Sequence, residues 1–162
     1  ETGCYKGWSS AYIAAALKEN KSGHLETLEI EDQHIQTSKI RWHNLEVIDF
    51  ITVTKIESLK FSPQVEYELI FLDSEPNIRW AELERFYPYL KPGGYIGIHD
   101  CPPSMCQGNI NPDHPEIKSY PFGDIPPLMA ELIKTGQLVK FHLPNPRGMV
   151  FFYKPKPEDY NL

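Results

Sequence analysis

The sequence predicts an α/β protein, a mainly parallel doubly wound sheet that closes in an antiparallel hairpin. Three observations predict it. Apolar residues switch between helical and strand periods in strict alternation, with short connections between the segments. One strand candidate, Tyr67–Leu72 (YELIFL), is nearly all apolar, as expected of a strand covered on both faces. The last two strand candidates are joined by Pro144-Asn145-Pro146-Arg147-Gly148, a link too short for a parallel crossover, so they must pair antiparallel.

The elements follow in order. Residues 8–19 (WSSAYIAAALKE) are alanine-rich and read as a helix, with Ser9 or Ser10 as its N-cap and Asn20 with Ser22-Gly23 as its stop. Residues 24–30 (HLETLEI) alternate as a strand. Residues 32–43 read as a helix capped by Asp32, with Ile35, Ile40 and Trp42 turned inward. Residues 50–54 (FITVT) form a β-branched strand. After Tyr67–Leu72, residues 77–90 carry Trp80, Leu83, Phe86 and Tyr87 at helical spacing, and Lys91-Pro92-Gly93-Gly94 reads as the stop. Residues 95–98 (YIGI) are a short buried strand. A proline-rich stretch then runs to Pro127, and residues 101–124 read as an irregular lid. Residues 125–135 form a last helix with Pro126 and Pro127 in its first turn. Residues 138–143 and 149–154 are the hairpin strands. One domain, residues 1–154, and a loose tail, 155–162, account for the 162-residue chain.

Composition excludes several functions. The formal net charge is −6, which repels a phosphate backbone and argues against nucleic acid as substrate. No apolar run approaches the ~20 residues of a membrane helix, and the first residues lack the basic start and apolar stretch of a signal peptide. Cys4, Cys101 and Cys106 fit no zinc spacing. They read as reduced thiols in a cytoplasmic protein, with a Cys101–Cys106 pair as the weaker alternative.

The opening Glu1-Thr2-Gly3-Cys4-Tyr5-Lys6-Gly7-Trp8-Ser9-Ser10 runs straight into the first helix. Two glycines permit a tight turn and close approach of a ligand, and the N–H groups of a helix start favour an anion. The spacing is G-x-x-x-G, not the G-x-G-x-x-G of a dinucleotide site. This opening resembles motif I of class I S-adenosylmethionine-dependent methyltransferases, and most of all the small-molecule O-methyltransferases of the catechol and caffeoyl-CoA types. The likeness runs from Glu1 to about Asp100, then thins. It implies a Rossmann-like methyltransferase sheet, whose antiparallel seventh strand agrees with the hairpin. It implies S-adenosylmethionine as cofactor, with Glu1, Gly3, Gly7 and Ser9 around it. Glu29, in Thr27–Glu31 (TLEIE), resembles the family's acid that holds both ribose hydroxyls, a task suited to a carboxylate; the residues alone read equally as a surface glutamate. Residues 55–59 (KIESL) resemble the segment beside the adenine, which makes Glu57 and Ser58 adenine neighbours, although the usual glycine is Ile56.

Residues 71–75 (FLDSE) and 98–101 (IHDC) end two strands where ligands bind in such sheets. In metal-dependent members an aspartate from each, plus an asparagine, binds a divalent ion. Asp73 and Asp100 match these aspartates, and the asparagine position is Cys101, a poor ligand for magnesium or calcium. The metal-free alternative has Asp73 at the cofactor's methionine end and Asp100 hydrogen-bonded at the mouth of the site. His99 beside Asp100 is a candidate base for a substrate hydroxyl. Strand alternation keeps the two from facing one way unless the strand has ended; a packed, hydrogen-bonded His99 is the competing reading. His114 lies in the lid, and Tyr120, Phe122 and Tyr95 could wall an acceptor pocket.

The expected activity is methylation of an oxygen on a small molecule or sugar-containing metabolite. A catalytically inactive methyltransferase-like binding or scaffold module is the runner-up, and a nicotinamide oxidoreductase is third. Glu1 stands where the family's central first strand ends, which leads us to expect that strand and preceding helices upstream. A homodimer or an upstream domain stays open.

Overall fold

The computed structural model describes residues 1–101, 126–143 and 148–161. The lid reading, with Cys106, His114, Tyr120 and Phe122, lies outside the described residues. The chain divides into two compact units, Glu1–Phe61 and Ser62–Leu162.

The first unit is built from α1 (Trp8–Asn20), β1 (Leu25–Glu29), α2 (Asp32–Asn44) and β2 (Ile51–Lys55). β1 and β2 pair in parallel from Leu25 opposite Ile51 to Glu29 opposite Lys55. Thr2 adds a parallel bridge to Leu28. The Gly3 N–H donates to the Leu28 carbonyl, and the Leu28 N–H donates to that of Glu1. The parallel pairing at the chain start thus reaches Thr2, one residue further than the sequence suggests, and Gly3 turns away at φ +75°. Alanines at 11 and 14 let α1 lie close against Leu25, Trp42, Val47 and Ile51, which with Cys4 form the core. Each large apolar side chain buried there contributes about 1.5–3 kcal/mol before entropy is set against it.

Three local expectations change in this unit. Gly7, with φ +75°, is the N-cap of α1, so neither Ser9 nor Ser10 caps it. Asp32 is the first residue of α2 and Glu31 its cap position. Ile40 is exposed, because the inward stripe of α2 is Ile35, Ser38 and Trp42, spaced three and four apart.

The second unit holds β3 (Tyr67–Leu72), α3 (Arg79–Phe86), β4 (Leu90–His99), α4 (Pro127–Lys134), β5 (Val139–Leu143) and β6 (Met149–Tyr153). The strand order is β3-β4-β6-β5. β3 and β4 are parallel, while β6 runs antiparallel to both β4 and β5, as the short hairpin link requires. Ile70, Leu72, Ile96, Ile98, Val150 and Phe152 are buried from the strands, with Leu83 and Phe86 from α3 and Met129 from α4. The long helix expected over 77–90 is instead a 3-10 turn (Pro76–Ile78), α3, and a second 3-10 turn (Tyr87–Tyr89). Pro88 ends the α-helix because it has no N–H to continue the ladder. β4 begins at Leu90, well before Tyr95. Leu90 faces Tyr67 and Tyr95 faces Leu69, so Lys91-Pro92-Gly93-Gly94 bulges out of the strand. Gly93 takes φ +85°, and its N–H still reaches the Lys154 carbonyl at 2.7 Å. The tail is not wholly loose either: Pro157–Asn161 winds into a 3-10 turn, with Asp159 accepting from the Tyr153 hydroxyl and the Lys156 N–H. Among the described residues no helix is long and apolar enough to cross a membrane.

Candidate functional site

The first unit contains Glu1, Gly3, Gly7, Ser9, Glu29, Glu57 and Ser58. Its centre is the turn from Gly3 to Gly7. α2 grips three successive carbonyls of this turn from one face: the Ser38 hydroxyl donates to Tyr5, Arg41 to Lys6 and the Trp42 indole N–H to Gly7. The Cys4 carbonyl is taken by the Gly7 N–H at 2.7 Å. Tyr5 holds the left-handed φ of 47°, a conformation an aromatic residue keeps only under such constraint. Gly7 has no room for a side chain, since a Cβ would meet the Trp42 Nε1 at 2.7 Å and Ser38 Cβ and Oγ at 2.8 Å.

With the carbonyls occupied, what the turn offers is N–H groups. Among the described residues no side chain caps α1, and its first turn carries no acidic residue. The amides of Trp8 and Ser9 are orphan donors of a thirteen-residue helix start, a setting that favours a carboxylate. Ser9 is half-buried there.

Glu29 is 7% exposed at the end of β1. Its Oε1 accepts the N–H groups of Ile30 (2.8 Å) and Glu31 (3.1 Å), and its Oε2 accepts that of Tyr5 (2.8 Å). The carboxylate therefore ties the strand end to the glycine turn, a role the sequence did not disclose. Glu1 is clamped similarly, its Oε2 accepting from Thr27 (2.7 Å) and Ser10. Cys4 lies between them, its Sγ 3.9 Å from Glu29 Oε2 and 3.7 Å from Ser38 Oγ. Burial and the neighbouring carboxylates push its thiol up to about 12, so it stays protonated. Glu57 and Ser58 follow β2. The Ile56 N–H bonds the Glu29 carbonyl, which puts this segment at the Glu29 strand end. Ser58 is buried, whereas Glu57 is exposed and accepts from Lys60 at 2.6 Å.

The second unit brings Asp73, His99 and Asp100 together. His99 Nδ1 lies 2.9 Å from Asp73 Oδ1 and 3.4 Å from Asp100 Oδ1. The strand does end at His99. Asp100 turns into the left-handed region, φ 53°, and this reversal lets consecutive residues converge where alternation would part them. Among the described residues His99 Nε2 has no hydrogen-bond partner.

At the middle of the cluster is Arg79, which sequence reasoning missed. It is 2% exposed. Its Nε and Nη2 donate to the Ser74 carbonyl at 3.0 and 2.6 Å, and its Nη1 donates to the His99 carbonyl. Its Nη2 also lies 3.4 Å from Asp73 Oδ1 and 3.7 Å from Asp100 Oδ2. A signal was present: Arg79, Leu83 and Phe86 share one helical face, so a charge stands in an apolar stripe.

Three donor atoms, one each from Asp73, His99 and Asp100, lie within 4.8 Å of one another, close enough to invite a divalent ion. The guanidinium argues the other way. A dication about 4 Å from a guanidinium is repelled by about 8 kcal/mol at an effective dielectric of about 20. The asparagine that would complete an oxygen set is the buried Cys101. The centre as built does not fit a divalent ion.

A Rossmann-like α/β fold that closes on an antiparallel hairpin, with an anion-receptive glycine turn, defines a methyltransferase class. A family model described as a methyltransferase domain matches residues 1–101, and the chain belongs to that family. Among solved structures it is similar to the SAH-bound methyltransferase PaMTH1 of Podospora anserina, at TM-score 0.75 and 16% identity, over 96% of this chain and 70% of that one. It is similar to the O-methyltransferase TomG of Streptomyces achromogenes, solved in complex with SAM (0.71, 15%, 96% and 71%). It is also similar to the N-methyltransferase NodS of Bradyrhizobium japonicum (0.62, 14%, 96% and 84%). At these identities the likeness is one of fold. No curated protein sequence matches the chain.

Proposed function

We propose that the chain is an S-adenosylmethionine-dependent O-methyltransferase that acts on a hydroxyl of a small molecule, with His99 as the base. One observation carries the choice of oxygen. His99 Nδ1 sits 2.9 Å from Asp73, which selects the tautomer with a proton on Nδ1 and a lone pair on Nε2. An imidazole so oriented suits removal of a hydroxyl proton. Comparable His–carboxylate pairing keeps the ring in one orientation and stabilises the imidazolium that forms.

The cofactor, when bound, supplies a methyl group on an electrophilic sulfonium. The residues of the first unit fit it, because among the described residues no side chain caps the helix start that would receive an anion. Trp8 and Ser9 amides would hold the methionine carboxylate. Glu29 Oε2 accepts one strong hydrogen bond, from Tyr5, and keeps a lone pair for a ribose hydroxyl. Glu57 and Ser58, at the same strand end, are assigned to the adenine. Glu1, Gly3 and Gly7 shape the turn that lies around the cofactor. In the second unit Asp73 and Asp100 orient His99. The chain's net charge of −6 favours a small acceptor over nucleic acid.

The test is turnover with S-adenosylmethionine on a panel of phenols, catechols and sugar hydroxyls, for the native chain and His99→Ala. The expected result is methyl ether formation, with kcat about 10²–10⁴-fold lower in the variant and S-adenosylhomocysteine binding unchanged. Methyl transfer to nitrogen alone, or a variant with native kcat, would overturn the reading. Cofactor binding without turnover on any acceptor would mark a binding module instead.

A further inference from the structure

We propose that Arg79 is the resident cation of the Asp73–His99–Asp100 centre, taking the place of a divalent metal, and that removing its charge converts the centre into a metal site. The inference stands on the side-chain cluster alone and does not depend on which atom accepts the methyl group.

Arg79 holds the position of an ion. Arg79 Nη2 is within 3.4 Å of one carboxylate and 3.7 Å of the other, so a single charged nitrogen bridges the two aspartates as an ion would. The guanidinium is 2% exposed and bonded to the Ser74 carbonyl after β3 and the His99 carbonyl at the end of β4. It cannot swing out to admit a cation without giving up its bonds to two backbone carbonyls and its ion pairs with both aspartates, a steep cost for a buried arginine. Two carboxylates and an imidazole within 4.8 Å make an O,O,N group that suits manganese, cobalt or zinc once the repelling charge is gone. The planar fork also explains the residue type: it serves two carbonyls and two carboxylates at once, which a point charge cannot.

Arg79 acts through Asp73, His99 and Asp100, so it is a positioning residue, and gain of metal binding is a readout that a merely structural role would not produce. The experiment titrates the full chain with manganese(II), following free ion by electron paramagnetic resonance, for the native protein, Arg79→Met, Arg79→Lys and Arg79→Met/Asp100→Asn. The native protein should bind no manganese at millimolar ion. Arg79→Met should bind one ion, at least tenfold tighter than either the native protein or Arg79→Lys, and the added Asp100→Asn should abolish the gain. One equivalent bound by the native protein and lost on Asp73→Asn would overturn the proposal, and this result needs no Arg79 variant to fold. A folded Arg79→Met that binds no ion, or an Arg79→Lys that binds as tightly as Arg79→Met, would overturn it equally.

Discussion

Replacing Gly7 by alanine tests the idea that α2 confines the glycine turn. Two costs add at this position. The backbone sits at φ +75°, where a non-glycine residue loses about 1–2 kcal/mol. The new methyl would also lie 2.7 Å from the Trp42 Nε1 and 2.8 Å from Ser38. Neither neighbour is a free side-chain end. Trp42 is 1% exposed and donates to the Gly7 carbonyl at 2.9 Å, and Ser38 donates to the Tyr5 carbonyl at 2.9 Å. An overpacked methyl of this kind adds about 1–3 kcal/mol, so Gly7→Ala should lose about 2–5 kcal/mol in all. Gly136 supplies the reference. It has nearly the same φ, +74°, and among the described residues a Cβ there meets nothing within 4 Å. Gly136→Ala should therefore show the backbone cost alone, about 1–2 kcal/mol. Urea unfolding followed by circular dichroism measures both. If Gly7→Ala loses no more than Gly136→Ala, Trp42 and Ser38 do not confine the turn and the reasoning fails.

The further predictions concern two titrating groups. Cys4 is buried and its thiol is pushed up to about 12 from an ordinary 9.0, so peptide mapping should find it unlabelled by iodoacetamide at pH 8 in the folded chain. Because the folded value is raised, the stability this thiol confers is whole below pH 9 and drains away as pH climbs towards 12; Cys4→Ala should remove that part of the alkaline loss. Tyr153 is also pushed up to about 12, chiefly by donating to Asp159 at 2.7 Å. Carbon-13 titration of labelled tyrosine should show Asp159→Asn bringing that phenol back towards 10.0, and an unchanged midpoint would mean the tail turn does not form in solution.

The fold was legible where one period dominated. Tyr67–Leu72, the alanine-rich α1 and the hairpin lie close to where their patterns put them, because each is decided by local apolar spacing or by a link too short for any other connection. The errors fall where local rules compete. Lys91-Pro92-Gly93-Gly94 reads as a helix stop, yet it belongs to a bulge inside β4, which only pairing with β3 and β6 reveals, and the α-helix ends earlier, before Pro88. In the candidate site, the family resemblance singled out Glu29, Asp73 and Asp100, and His99 was read beside Asp100, but their surroundings were not legible. Glu29 read as either a ribose ligand or a surface glutamate; it is a buried backbone clamp, legible only after folding because its partners Tyr5 and Ile30 lie on opposite sides of it in sequence. Ser38, Arg41 and Trp42 went unnoticed as a gripping face because their targets are main-chain carbonyls, which leave no mark in a sequence. Arg79 left a mark, a charge within the stripe that also carries Leu83 and Phe86, but its partners come from two strand ends that only folding assembles.

The measurement that bears most directly on the account is calorimetric titration of the full chain with S-adenosylhomocysteine, repeated on Glu29→Gln. The account predicts saturable one-to-one binding to the native chain. It predicts at least tenfold weaker binding to the variant, because a hydrogen bond to a charged group is worth about 1.5–3 kcal/mol. No binding to the native chain, or equal affinity for the two, would contradict the assignment of the glycine turn and Glu29 to the cofactor.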